Sequence, residues 1–340
     1  EAAAKRATIL WPWMIRLKGI ITMSEQWTTA DMPDLTGKKV IVTGANSGVG
    51  YEAARAFAIK GAHVVFASRS QERAEAAVAK LRQQSPDVAV EIILLDLADL
   101  AAVHEFALSY NAHHDRLDIL VNNAGIMAIP YRQTADGFEM QFGTNHLGHF
   151  ALTGLLLEPI LATEGARVVT VSSMLHRAGK INLDDLQGQQ GYNKRAAYSQ
   201  SKLANLLFAY ELQRKLARAQ QSAISVGAHP GYSATNLQHV GPNMEDSAVQ
   251  RAMMSMSNTL FAQSSEMGAL PTLYAATAPD VNGCDYIGPG GFMNMRGYPV
   301  KELSSEASYD EVAARRLWAV SEEMTGVRYE ALDTLPSVAG

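Results

Sequence analysis

Cysteine is nearly missing from this chain of 340 residues: Cys284 stands alone. That excludes an internal disulfide and a thiolate metal cluster, and it fits a reducing compartment, with the cytoplasm as the expected location. A dominant charge sign is missing too, since 29 Lys and Arg stand against 34 Asp and Glu, a net charge of -5. No surface built to neutralise a phosphate backbone follows from that balance, so no nucleic-acid partner is expected. Long apolar runs are also lacking. The nearest approach, residues 9–21, is too short and too interrupted by Pro12, Arg16 and Lys18 to span a membrane. Membrane contact is not expected, with an interfacial helix as the alternative. Residues 1–22 begin Glu-Ala-Ala-Ala-Lys, like a helical linker unit, and are expected to lie outside the fold with Met23 as the natural start.

Repeats, low-complexity tracts and Ser/Gly linkers are absent as well, which makes residues 23–340 a single domain by the simplest reading. What the chain does have is alternation. Short β-branched runs at 40–42, 64–66, 92–95, 119–121, 168–171 and 224–226 alternate with helical patterns at about 50–60, 71–84, 99–110, 136–162, 197–219 and 265–277. A seventh strand is expected near 285–287 and a last helix over about 308–325. Near-continuous apolar strands between helices predict an α/β, Rossmann-type doubly wound parallel sheet of about seven strands, covered on both faces.

The first strand runs into Gly44-Ala45-Asn46-Ser47-Gly48-Val49-Gly50, and a helix pattern begins directly behind it. A sharp turn that brings backbone and a helix N-terminus up to a pyrophosphate needs glycine there, so Gly44, Asn46, Ser47, Gly48, Val49 and Gly50 are candidate cofactor contacts. At the end of the second strand an acid would hold a ribose 2′-hydroxyl, whereas a cation would accept a 2′-phosphate. Here Ser68 stands where the acid belongs and Arg69 follows it, which points to NADP(H); a solvated Arg69 would leave NAD(H) open. Asp96 and Leu97 close the third strand, at the expected adenine edge.

Tyr198 and Lys202 lie four apart on one helix face. A phenol is a poor base at neutral pH, and a cation held beside it favours the phenolate. With the glycine turn, this pair resembles the classical short-chain dehydrogenase/reductase family, over about residues 35–287. The resemblance implies a catalytic tetrad of Asn145, Ser173, Tyr198 and Lys202, with Ser173 rather than Ser172 on the reacting oxygen. It further implies that Lys202 holds the nicotinamide ribose and that Asn145 holds a water behind the lysine. Cofactor contacts at Asn123, Ala124 and Gly125 after the fourth strand, and at Pro230, Gly231 and Thr235 after the sixth, come from the same resemblance. The activity implied is hydride transfer between a nicotinamide and a carbonyl/alcohol pair, with no metal required.

A Met-rich stretch around 253–267 falls where the family carries a substrate lid, placed here near 236–265. Residues 173–179, Tyr192-Asn193-Lys194 and Leu317-Trp318 resemble the retinol-dehydrogenase-like branch, implying a small apolar alcohol, aldehyde or ketone as substrate. Many relatives form homodimers or homotetramers through the helices that carry Asn145 and Tyr198. His146 and His149 sit at a spacing open to a metal, but no third ligand follows, so they read as packing or polar surface. His113 and His114 read as solvated loop residues. The alternative function is a catalytically silent NADP-binding sensor or scaffold.

Overall fold

In the computed structural model, which describes residues 26–232 and 263–333, the β-branched runs become strands joined by helical crossovers. The order is β1 (Lys39–Thr43), α1 (Gly48–Ile59), β2 (His63–Ser68), α2 (Gln71–Gln84), β3 (Val90–Leu94), α3 (Leu100–His113) and β4 (Ile119–Asn122). Then follow α4 (Met140–Phe142), α5 (Gly148–Leu155), α6 (Leu157–Leu161), β5 (Arg167–Val171), α7 (Lys194–Arg218) and β6 (Ile224–Ala228). After the undescribed stretch come α8 (Ser265–Thr277), β7 (Tyr286–Pro289), β8 (Pro299–Glu302) and α9 (Glu311–Thr325). The expected extension at 1–22, Thr235 and nearly all of the expected lid fall outside the described residues.

One sheet runs β3-β2-β1-β4-β5-β6-β7-β8. All neighbours are parallel except β7 and β8, which pair antiparallel. The sheet has eight strands rather than about seven. The extra one opens on a proline and carries a lysine and a glutamate, composition tolerated at an edge but not readable as a strand by pattern. Burial on both faces follows strand alternation: Val40 and Val42 pack with Phe57 and Leu270 on one face, while Ile41 packs with Phe106 and Phe150 on the other.

The helix expected over 136–162 is broken. Gly137 turns the chain with φ +83°, and the Glu139 carboxylate then caps α4 by accepting from the Gln141 and Phe142 N–H groups. A π-turn over Gly143–Leu147 follows, and a second break comes at Leu156. That turn rotates Asn145 inward and leaves it fully buried.

α9 packs along α7. Trp318 stacks on Phe208 with centroids 5.7 Å apart and meets Phe150 edge-on at 5.1 Å. Residues 198–212 of α7 are buried without a break, and α9 covers part of a helix that was expected to serve an oligomer interface.

Candidate active site

Strand order reverses between β1 and β4, because the chain fills β2 and β3 on one side and then crosses back. Open α/β sheets present a crevice at the C-terminal ends of the two strands that flank such a point. The glycine turn and Asn123–Gly125 face each other across it. Thr43 organises both: its Oγ1 accepts from the Asn123 and Ala124 N–H groups at 2.9 Å each, and its carbonyl accepts from Asn123 Nδ2 at 2.8 Å. Gly44 adopts φ +69°, and a Cβ on Gly50 would collide with the Gly44 carbonyl and the Asn123 amide.

α1 starts behind this turn with the features an anion needs. Ser47 is its N-cap but makes no side-chain cap, and no acid stands in the first turn, so the helix N–H groups stay open toward the crevice. Val49 is buried in the core, and Asn46 flanks the turn half-buried. At the end of β2, Ser68 is buried and Arg69 is exposed, without an ion pair among the described residues. Asp96 lies two residues beyond β3 and accepts from the Ala98 N–H at 2.9 Å, whereas the Leu97 side chain is buried in the core. The open N-terminus of α1 and the exposed end of β2 fit a dinucleotide, its pyrophosphate at α1 and its adenosine end at β2.

The second half of the site rests on α7, capped at Asn193, whose Oδ1 accepts from the Arg195 and Ala196 N–H groups at 3.0 Å. One face of this helix carries Tyr198, 4% exposed, and Lys202, 3% exposed, with the ammonium 5.9 Å from the phenol ring centre. Burial pushes the Tyr198 phenol up to about 12, opposed by its interaction with the Ser173 side chain. Burial also pulls the Lys202 ammonium down to about 8. In the free protein, desolvation of this fully buried pair is the larger effect on the phenol, ahead of any help a neighbouring cation gives the phenolate. Lys202 Nζ donates to the Val171 carbonyl at 3.1 Å.

The two serines at the end of β5 separate clearly. The Ser172 hydroxyl donates to the Lys202 carbonyl at 2.7 Å and is structural, while Ser173 caps the short helix after β5 beside the phenol. Asn145 is tied down at both ends: Oδ1 accepts from the Ile126 N–H at 2.8 Å, and Nδ2 donates to the Ile126 carbonyl and to Ser201 Oγ at 2.9 Å each. A Cβ on Gly125 would lie 3.0 Å from Asn145 Oδ1 and 3.4 Å from Lys202 Nζ, so glycine is what keeps this corner open. At the far side, Gly231 takes φ +63° after Pro230.

The supporting roles of three side chains were not read from the sequence. His149 is buried, its Nδ1 2.9 Å from the Asn145 carbonyl and its Nε2 2.9 Å from Thr43 Oγ1. A carbonyl can only accept, so Nδ1 carries the proton and Thr43 donates to Nε2; burial holds the ring neutral, its pKa near 4. One neutral imidazole thus links the glycine turn to the π-turn under Asn145. His229 pairs with Glu302 of β8, stacks on Tyr286 at 5.2 Å and accepts from the Gly231 N–H at 3.1 Å, which fixes the turn after β6. Gln141 accepts from the Ala128 N–H at 2.7 Å and donates to Tyr192 Oη at 2.8 Å, binding the loop after β4 to the start of α7. Histidine and glutamine have no period, and partners 73 or 106 residues away leave no local signal.

Comparison with known proteins agrees with this geometry. The family model described as short chain dehydrogenase matches residues 38–246. The chain is 40% identical over 325 residues to human (Homo sapiens) retinol dehydrogenase 13, covering 95% of this chain and 94% of that one. It is 39% identical over 310 residues to polyprenol dehydrogenase of Danio rerio, covering 88% and 90%. A crystal structure of an uncharacterised protein from Mycobacterium paratuberculosis superposes with a TM-score of 0.74 at 42% identity, covering 90% of this chain and 99% of that chain.

Proposed function

The chain belongs to the short-chain dehydrogenase family, in its retinol-dehydrogenase-like branch, and from that premise we propose an NADP(H)-dependent enzyme that interconverts an alcohol and a carbonyl on a small apolar substrate. As a family member it is an NAD(P)-dependent oxidoreductase acting on CH–OH groups. The observation that carries the proposal is a buried phenol, Tyr198, with the Ser173 side chain beside it and Lys202 one helical turn away.

A bound nicotinamide supplies the hydride. Tyr198 is protonated at neutral pH, so in reduction its hydroxyl donates the proton to the oxygen of the carbonyl as charge builds there. Ser173 donates a hydrogen bond to the same oxygen, a contribution of roughly 10²–10³ in rate for a preorganised donor of this kind. Lys202 offsets the charge left on the phenolate, and Asn145 and Gly125 hold the space behind it. In oxidation the same groups act in reverse order.

NADP(H) is favoured by Ser68 and by Arg69 at the end of β2, which makes no ion pair among the described residues. Retinol and polyprenol, which name two of the relatives, are both apolar alcohols, and they support the substrate class. The test is steady-state turnover of a panel of apolar primary alcohols and aldehydes with each cofactor. The expected result is consumption of NADPH with an apolar aldehyde at a kcat/KM at least tenfold above that with NADH, on the order of one charge-assisted hydrogen bond. Preference for NADH would reject the role of Arg69, and cofactor binding without turnover on any member would favour a silent sensor.

A further inference from the structure

At the opposite end of the sheet from the crevice, three metal-binding side chains from three elements converge. His63 is the first residue of β2, Glu91 lies on the edge strand β3, and His114 caps the C-terminus of α3. His113 is exposed as expected, but its neighbour His114 is not solvated: its side chain is only 10% exposed and its ring lies against Tyr110 with centroids 4.6 Å apart. Glu91 Oε2 stands 3.0 Å from His114 Nε2 and 3.8 Å from His63 Nε2. One ligand atom from each of the three lies within 4.8 Å of the other two.

We propose that His63, Glu91 and His114 form a binding site for a divalent transition-metal ion of the zinc type, which clamps β2, the edge strand β3 and the end of α3 together. Two ligands each about 2.1 Å from a tetrahedral ion lie roughly 3.4 Å apart, and the two distances to Glu91 fall on either side of that value. Two imidazoles and a carboxylate suit zinc and exclude magnesium or calcium, which prefer all-oxygen sets. Glu91 is 33% exposed and His63 26% exposed, so one side is open for a water as the fourth ligand. His114 is held in orientation by Tyr110, whose hydroxyl is in turn fixed on the Arg116 carbonyl at 2.7 Å. His63 Nδ1 is buried without a hydrogen-bond partner, which leaves Nε2, facing Glu91, as its working nitrogen.

The ion is structural. β2 separates it from the cofactor end at Ser68, roughly 17 Å for six residues, so hydride transfer does not involve it.

The test uses the full chain, freed of metal with a chelator. Isothermal titration with zinc chloride is expected to give one ion per chain, and cobalt(II) the intense visible absorption of a tetrahedral site. Zinc at a hundredfold excess over its Kd is expected to raise Tm by roughly 5 °C. Glu91→Gln and His114→Gln are each expected to weaken zinc binding by more than about tenfold, abolish the cobalt spectrum and leave turnover unchanged. Absence of binding, or zinc and cobalt binding that both variants retain, would overturn the proposal, the latter by placing the ion on other histidines.

Discussion

At the scale of single residues, the proposed preference for NADP(H) rests on Arg69, an exposed guanidinium at the end of β2 with no ion pair among the described residues. A hydrogen bond to a charged group contributes about 2 kcal/mol, so Arg69→Ala is expected to raise the Kd for NADPH about 30-fold and to leave NADH within about twofold, read by cofactor fluorescence. An equal loss for both cofactors would mean that Arg69 does not reach the 2′-phosphate. The residues proposed to carry the chemistry could be picked out in the sequence because the family resemblance falls on positions at fixed offsets from a strand end or on a helix period: Gly44 after β1, Ser173 after β5, Tyr198 and Lys202 one turn apart. The residues that hold them were not. Thr43, His149, His229 and Glu302 act through contacts between distant segments, and His149 was read only as packing or polar surface, although its two ring nitrogens join the glycine turn to Asn145.

At the scale of elements, the parallel strands and α1, α2, α7 and α8 were readable because burial on two faces or on one stripe imposes a clear pattern. The π-turn was not, since it differs from an α-helix only in that each N–H bonds the carbonyl five residues back rather than four, and it keeps the same apolar composition. β8 was not, because an edge strand that opens on proline carries no alternation. The structure also gives α9 a role that its sequence pattern only hinted at: it seals α7 and α5 through Trp318. Trp318→Ala removes a side chain that is 5% exposed and packed on Phe208, Phe150 and Tyr329. The expected cost is about 3–5 kcal/mol, seen as a fall in Tm of roughly 10 °C by calorimetry. A fall of only a degree or two would mean that α9 is not part of the cooperative core.

At the scale of the whole molecule, three buried histidines set the acid limit. Burial holds His146 at about 3 and His149 and His176 at about 4, below the ordinary value of 6.5. The unfolded chain takes up protons on these rings below pH 6.5 while the folded protein does not. Their neutral forms therefore give full stability above pH 6.5, and stability is lost as pH falls from there toward pH 4 and below. Each unit in that window costs about 1.4 kcal/mol per histidine. Denaturant midpoints are expected to be flat from pH 7 to 8 and to drop steeply between pH 6 and 5; a flat profile down to pH 5 would mean that these rings are not buried neutral. None of the described helices is long and apolar enough to cross a membrane, and the whole described chain is organised around one sheet whose switch point carries the site.

The central claim is that this crevice moves a hydride with Tyr198 handling the proton, and Tyr198→Phe tests it most directly, because it removes one oxygen and leaves the packing of α7 intact. With NADPH and the best apolar aldehyde of the panel, the variant is expected to bind cofactor as the parent does and to turn over roughly 10²–10⁴-fold more slowly. Turnover within about threefold of the parent, with cofactor still bound, would contradict the assignment of Tyr198 and with it the reading of the site.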